Sequence, residues 1–298
     1  MDQITCLLPG GYLDEQGTRH QYVELTPLNG RVEALVASSP RGPALVTQLL
    51  SHCIQCIGAV APSTAIIGQL LVADRQYLLL KLRQATLGSQ TFMTLSCPQP
   101  SCGHKMDVDF MIDDVPVAIP AAIKPCYSME LSLAAAFVDA NSETQRTIVF
   151  RLPNGTDQEV LAPLLAESRD EEAATLLLQR CIQRLGPQQE PDQEQISRLS
   201  ALARWEIEQA IEATAPRVEL MMEGECPECA YPFAAPFDLE TFFFGELGAS
   251  INLLYREVHY LAYHYHWSER EIMDMPRAKR RRYIEVLADE IERMNHAI

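Results

Sequence analysis

Residues 95–104 read LSCPQPSCGH, and residues 224–233 read GECPECAYPF. Each stretch places two cysteines on a turn-forming run, with proline after the first and a small residue after the second. Two thiolates are half of a structural zinc site, which takes four ligands in a tetrahedron. The flanks of the first stretch alternate as a strand should. Met106, Val108 and Phe110 fall on one face, and Lys105, Asp107 and Asp109 on the other. The spacing predicts one four-cysteine zinc ribbon built from Cys97, Cys102, Cys226 and Cys229. Buried thiols without metal are one alternative. Two separate sites using His104 as an extra ligand are another, although the second knuckle has no matching histidine. Four thiolates leave no coordination position for water, so the expected zinc is structural and not catalytic.

The half-sites are part of a larger repetition. Residues 49–58, LLSHCIQCIG, match residues 177–186, LLQRCIQRLG, at six of ten positions. Upstream, VELTPLNGRVEAL (23–35) resembles IVFRLPNGTDQEVL (148–161). These matches and the knuckles recur in one order at nearly constant offset, which implies an internal duplication. Each copy reads as a strand, an Asn-Gly tight turn (Asn29-Gly30; Asn154-Gly155) and a helix ending in LLxxCI. A C-capping glycine (Gly58; Gly186), a second helix and a strand into the knuckle follow. The expected fold is α+β and mostly helical: two duplicated small α/β modules joined by the shared ribbon, plus a C-terminal helical segment. The boundaries read as an N-terminal arm (1–20), module 1 (21–117), a linker (118–145), module 2 (146–240) and the C-terminal segment (241–298).

Composition narrows the function. At 47% apolar and 21% charged residues, the chain reads as globular and not disordered. A net charge of −16 argues against nucleic acid or an anionic membrane as partner. The N-terminus has no basic, apolar leader, and the longest uncharged run, near 53–73, is too polar to span a bilayer. A reducing cytosol is the expected location, where nine cysteines read as metal ligands or buried thiols. Cys53 and Cys56 read as core thiols, Asp107, Asp109, Asp113 and Asp114 as a solvated face, and His259, His264 and His266 as structural. No P-loop, GxGxxG, GxSxG or HExxH occurs, so nothing supports an enzyme.

The C-terminal segment is strongly patterned. Leu247, Ile251, Leu254, Val258, Leu261 and Tyr265 form one helix face, and Ser268 to Glu271 is a capping box. Pro276 punctuates the next helix, which Ile284, Leu287, Ile291 and Met294 stripe. RAKRRR (277–282) is the one dense basic cluster, and it reads as a solvated face or a dock for an acidic partner through Arg277, Arg280, Arg281 and Arg282.

The order RLPNGTDQEVL, LLxRCI, CPEC, FDLETFF and then LLYREVHYLAYHYHWSEREIMDMPRAKRRRYIEVL resembles the zinc-knuckle baseplate hub/assembly family of T-even-type contractile phage tails. Similar proteins occur in phage-tail-like contractile injection systems. The resemblance spans roughly residues 20–298 and is most specific in EVHYLAYHYHWSEREI and CPEC. Two departures stand out: four residues separate the cysteines of the first knuckle, and Ala213-Thr214-Ala215-Pro216 replaces an acidic tip. The resemblance implies a non-enzymatic subunit of a baseplate or hub, or an assembly chaperone for it, with other tail proteins as partners. A zinc-ribbon regulatory or nucleic-acid-binding protein is the competing reading.

Overall fold

The computed structural model describes residues 4–139, 141–249 and 251–296. The chain opens with β1 (Ile4–Leu13) and β2 (Arg19–Leu25), then α1 (Gly30–Ser38), α2 (Pro43–Cys53) and β3 (Ile54–Ile57). Next come α3 (Thr64–Gln69), α4 (Val72–Leu87) and a hairpin of β4 (Gln90–Ser96) and β5 (Lys105–Met111). The middle carries β6 (Val117–Ala118), β7 (Tyr127–Glu130), β8 (Phe137–Val138), β9 (Thr144–Gln145) and β10 (Thr147–Phe150). Then follow α5 (Gly155–Ala166), α6 (Asp170–Cys181), β11 (Ile182–Leu185), β12 (Gln188–Gln189), α7 (Gln193–Ser197) and α8 (Ala201–Thr214). β13 (Arg217–Val218) leads to a second hairpin, β14 (Met221–Glu225) and β15 (Pro232–Pro236). Four helices close the chain: α9 (Leu239–Ala249), α10 (Ile251–Tyr265), α11 (Glu269–Met273) and α12 (Arg277–His296).

The fold is α+β, and its element order repeats. β2–α1–α2–β3–α3–α4 is followed by β10–α5–α6–β11–α7–α8, each run ending in a path to a hairpin. The antiparallel sheet β1-β2-β3 has its counterpart in β7-β10-β11, to which β12 adds a fourth strand. β7 therefore lies in the segment expected as a linker, and β1 lies in the expected N-terminal arm. β7 is short on sequence signal because it alternates over only four positions, whereas β1 spans ten residues whose alternation is broken by a buried run through Pro9, Gly10 and Gly11.

The Asn-Gly pairs are not hairpin turns. Asn29 and Asn154 cap helices: their side chains accept from the backbone N–H of Val32 and Asp157. Asp157 returns a bond to the Asn154 N–H and so completes a capping box. The helix expected before LLxxCI is two helices in each half, parted by Pro40 and Gly42 or by Ser168 and Arg169. The helices after Gly58 and Gly186 are likewise split, at Leu70–Leu71 and at Arg198–Ser200. Gly58 and Gly186 end strands, not helices, and both sit at positive φ, 57° and 60°. Each donates its N–H back to the neighbouring strand, to Tyr22 O and Thr147 O.

The described residues form three larger apolar cores. The first gathers β1–β3 and α1–α4, and it also takes Val218, Phe237, Leu239, Phe243, Phe244 and Leu247. So the second hairpin and α9, though they follow the second half in sequence, pack on the first. The second core holds Leu131, Ile148, Phe150, Leu178, Ile182, Ile196, Leu199 and Ile207. The third joins Leu254, Val258, Leu261, Ile272 and Met273 to Ala34 of α1, with Tyr265, Trp267 and Tyr283 clustered beside it.

Two backbone contacts join these bodies. Leu71, between α3 and α4, bridges Asn154, and Leu70 O accepts from the Gly155 N–H at 3.0 Å. Pro276, between α11 and α12, bridges Asn29, and the Arg277 N–H reaches Leu28 O at 3.3 Å. Glycine is needed at both docking points for closeness. A Cβ on Gly155 would stand 2.6 Å from Arg75 Cζ, and one on Gly30 would stand 3.1 Å from Met273 Cα.

Asp74 shows how a buried charge is tolerated. The β1–β2 register shifts between Leu7 and Tyr12, which takes Gly10 and Gly11 out of the ladder. Asp74 accepts from both of their N–H groups, at 2.7 and 2.9 Å. Burial pushes its carboxyl up to about 7 even so, against the lowering effect of those bonds and of Arg19.

Candidate metal centre

Each knuckle sits at the tip of a hairpin. In the first, the Cys97 N–H bonds to His104 O at 2.8 Å and the Cys102 N–H to Gln99 O at 2.9 Å. Gly103 turns the chain back at φ 59°. In the second, the Cys226 N–H bonds to Tyr231 O at 3.0 Å, the Ala230 N–H bonds to Cys226 O at 2.8 Å, and Ala230 takes the same left-handed conformation. Both tips therefore close with one strand-end bond and one residue at positive φ, despite their different lengths.

The two hairpins belong to separate sheets. They meet at two places. At the base, the Phe110 and Phe237 rings make an edge contact with centroids 5.4 Å apart. At the tips, the four sulfurs lie within 4.8 Å of one another. Cys97 Sγ is 3.7 Å from Cys229 Sγ, and Cys102 Sγ is 3.8 Å from Cys226 Sγ. Zn–S bonds of about 2.3 Å in a tetrahedron require sulfur–sulfur edges of about 3.8 Å. The donor set and its spacing both fit a zinc ion. The hydrogen bond from the Cys229 N–H is the largest influence on Cys226, whose thiol is drawn down to about 7. A thiolate near neutral pH is the form a metal binds.

Apolar packing at the tips is thin. Met106 is buried beside Cys97 and Cys226, and Leu95, Val108 and Phe233 only partly shield them. His104 contributes its backbone carbonyl, its side chain is exposed, and it is not part of the sulfur cluster.

The remaining sequence candidates fall elsewhere. Cys53 is fully buried, and burial pushes its thiol up to about 12, an unreactive state. Asp107 and Asp109 lie on the exposed face of β5. His259 and His264 are exposed and stack with Tyr263 and Tyr260. The basic cluster needs a correction. Arg277 and Arg280 are not on a partner-facing surface; they point inward, 5% and 0% exposed. Arg280 bonds Glu33 at 2.6 Å and Glu257 at 3.1 Å, and Arg277 reaches Glu33 at 3.3 Å. Arg281 and Arg282 remain outside. The carboxylates that draw the two arginines in are far away in sequence, so a local reading sees only the charge run.

A family described as the T4 bacteriophage base plate protein matches residues 35–244, well over half of the chain. The chain belongs to this base plate family. The matched span starts in α1, contains both knuckles and ends in α9, so the site just described lies wholly within it. A second family, one of unknown function, matches residues 249–298, which hold α10–α12. No curated protein and no solved structure matches the chain. Membership of the base plate family points to a structural or assembly role alongside other tail proteins. Among the described residues no helix is long and apolar enough to cross a membrane.

Proposed function

We propose that the chain is a non-enzymatic, zinc-stabilised component of the baseplate or central hub of a contractile tail, of a phage or of a tail-like injection system. It is made in the bacterial cytoplasm and binds other baseplate, hub or tail proteins. One zinc ion, held by Cys97, Cys102, Cys226 and Cys229, clips together two units that arose by duplication. The observation that carries this reading is the base plate family match over a span containing both halves of the sulfur cluster. Structural zinc in small sites is worth roughly 10–16 kcal/mol apparent, far more than the few side chains around Met106 can supply.

The experiment is to tag the chain in its host, sediment the tail particles, and quantify it by mass spectrometry in particle and soluble fractions. Fixed stoichiometry with sheath and baseplate proteins identifies a structural subunit. Presence only in the soluble fraction, bound to hub proteins, identifies an assembly chaperone instead. Absence from both kinds of complex would sink the tail reading. The nucleic-acid alternative loses ground with Arg277 and Arg280 turned inward.

A further inference from the structure

Three segments of the chain share one spacing. Ser63, Ile67, Leu70 and Arg75 recur as Asp192, Ile196, Leu199 and Arg204, and again as Ser268, Ile272, Met275 and Arg280. In each, the first residue caps a short helix, α3, α7 or α11. The isoleucine is buried in each. The arginine lies in the first turn of the following helix and reaches back to the helix before. Arg75 donates to Thr47 at 2.8 Å, Arg204 to Thr175 at 3.0 Å, and Arg280 to Glu257 at 3.1 Å. The segment α10–α11–α12 thus repeats α2–α3–α4 and α6–α7–α8 as a third, shortened unit.

Two of these three units use the turn after the short helix in the same way. The α3–α4 turn takes the Asn154-Gly155 helix start, and the α11–α12 turn takes the Asn29-Gly30 helix start. The α7–α8 turn, Leu199–Ser200, makes no such bridge among the described residues. It opens on a cleft of about 530 Å³ lined by Arg198, Leu199, Ser200, Phe137, Val138 and Asp139, whose carboxylate is taken up by the Asn141 and Glu143 N–H groups of its own hairpin. Ser200 and Val138 are exposed there.

Charge narrows what could fill it. Asp274, two residues before the bridging Pro276, pairs with Arg31, the residue following Asn29-Gly30. Its counterpart two residues before Ser200 is Arg198, of opposite sign. The Arg198 side chain is 73% exposed and, among the described residues, pairs along its own helix with Glu194. We propose that the α7–α8 turn docks a partner protein presenting a helix N-terminus led by an Asn-Gly pair and followed by an acidic residue. The chain's own Asn-Gly pairs are covered and are followed by Arg31 and Thr156, so a second copy does not match. In a repeat protein each unit contacts only its neighbours, so a unit without a neighbour on one side keeps that contact face uncovered. The inference goes beyond the baseplate reading and stands or falls separately from it.

The test uses the full chain and a synthetic peptide of its own residues 151–166 carrying Thr156→Glu. Binding is followed by backbone amide shifts. The expected result is shifts confined to the α7–α8 turn and the β8–β9 hairpin. A Thr156→Lys peptide should bind about fivefold more weakly, the size of one exposed ion pair. Arg198→Glu should reverse that order. Shifts elsewhere, no shifts at the turn, or indifference to charge sign would overturn the proposal. So would self-association of the unliganded chain that Arg198→Glu abolishes, because it would assign the turn to a second copy.

Discussion

Replacing Arg280 with alanine removes one of the contacts that hold the C-terminal segment to the first unit. The guanidinium is fully buried and makes three bonds: to Glu33 at 2.6 Å, to Glu257 at 3.1 Å and to Met275 O at 2.8 Å. Its loss leaves Glu257, 7% exposed at the side chain, with the half-exposed Arg281 at 3.8 Å as its nearest ion-pair partner among the described residues. Glu33 keeps Arg277 at 3.3 Å. Breaking one partner of a buried pair costs about 3–5 kcal/mol. A figure of about 4 kcal/mol is apt here because two acidic groups lose their shared cation. That is close to a thousandfold in the opening equilibrium of α10–α12, at about 1.4 kcal/mol per factor of ten. Native-state hydrogen exchange reads it directly. Amide protection in α11 and the first turns of α12 should fall about a thousandfold, while α4 and α8 stay protected. Arg281→Ala should change the same amides less than about fivefold, as expected of an exposed, long ion pair. A tenfold or smaller loss in Arg280→Ala, or an equal loss in α4 and α8, would refute the idea of a local lock.

Other outcomes can be checked alongside. Purified protein should carry about one zinc per chain by elemental analysis; a value near two would mean two separate sites. Cys226→Ser should lose the metal and the exchange protection of both hairpin tips, with the three apolar cores retained; a mutant that binds zinc normally counts against the shared site. Gly155→Ala should destabilise by about 1–3 kcal/mol in denaturant melts, because the added methyl overpacks against Arg75. Asp74 gives a pH signature. Its folded pKa is raised to about 7 from the ordinary carboxyl value of 3.8, so the native state holds the proton more tightly. Its contribution is therefore fully present below pH 4 and is lost as pH rises toward and through 7. Wild type should lose stability relative to Asp74→Asn between pH 5 and pH 8, and a constant difference would contradict the assignment.

Local chemistry made much of this molecule readable. The knuckles announce themselves because both cysteines of each half are neighbours on a turn. The Ser268 to Glu271 capping box is closed within four residues and forms as read. The recurrence of LLxxCI and Asn-Gly marks elements that do recur in the same order. The Asn-Gly pairs were harder, because the same asparagine chemistry serves tight turns and helix caps. Asp157, three residues after Asn154, was the readable sign of a cap. Other features depend on distant partners. The break at Leu70–Leu71 exists because the chain there pairs with Asn154, and the basic run is half buried because Glu33 waits on α1. The packing of the second hairpin on the first core has no sequence signature, since Phe237 and Phe243 are equally apolar against either unit.

The clip also has a mechanical meaning. The second unit is spliced between two hairpins that touch at Phe110–Phe237 and at the sulfur cluster. With a metal bound at the tips, tension between the first unit and α9 runs from hairpin to hairpin through the metal. The second unit then lies outside the load path, like a side branch on a taut rope. A pull on it is met first at the Leu71–Asn154 bridge and the Gly155–Leu70 bond, which hold it to the first unit, and not at the strands on either side. Removing the metal leaves that load to the apolar packing of Phe237 and α9 on the first core, and the whole second unit comes into series only once that packing yields.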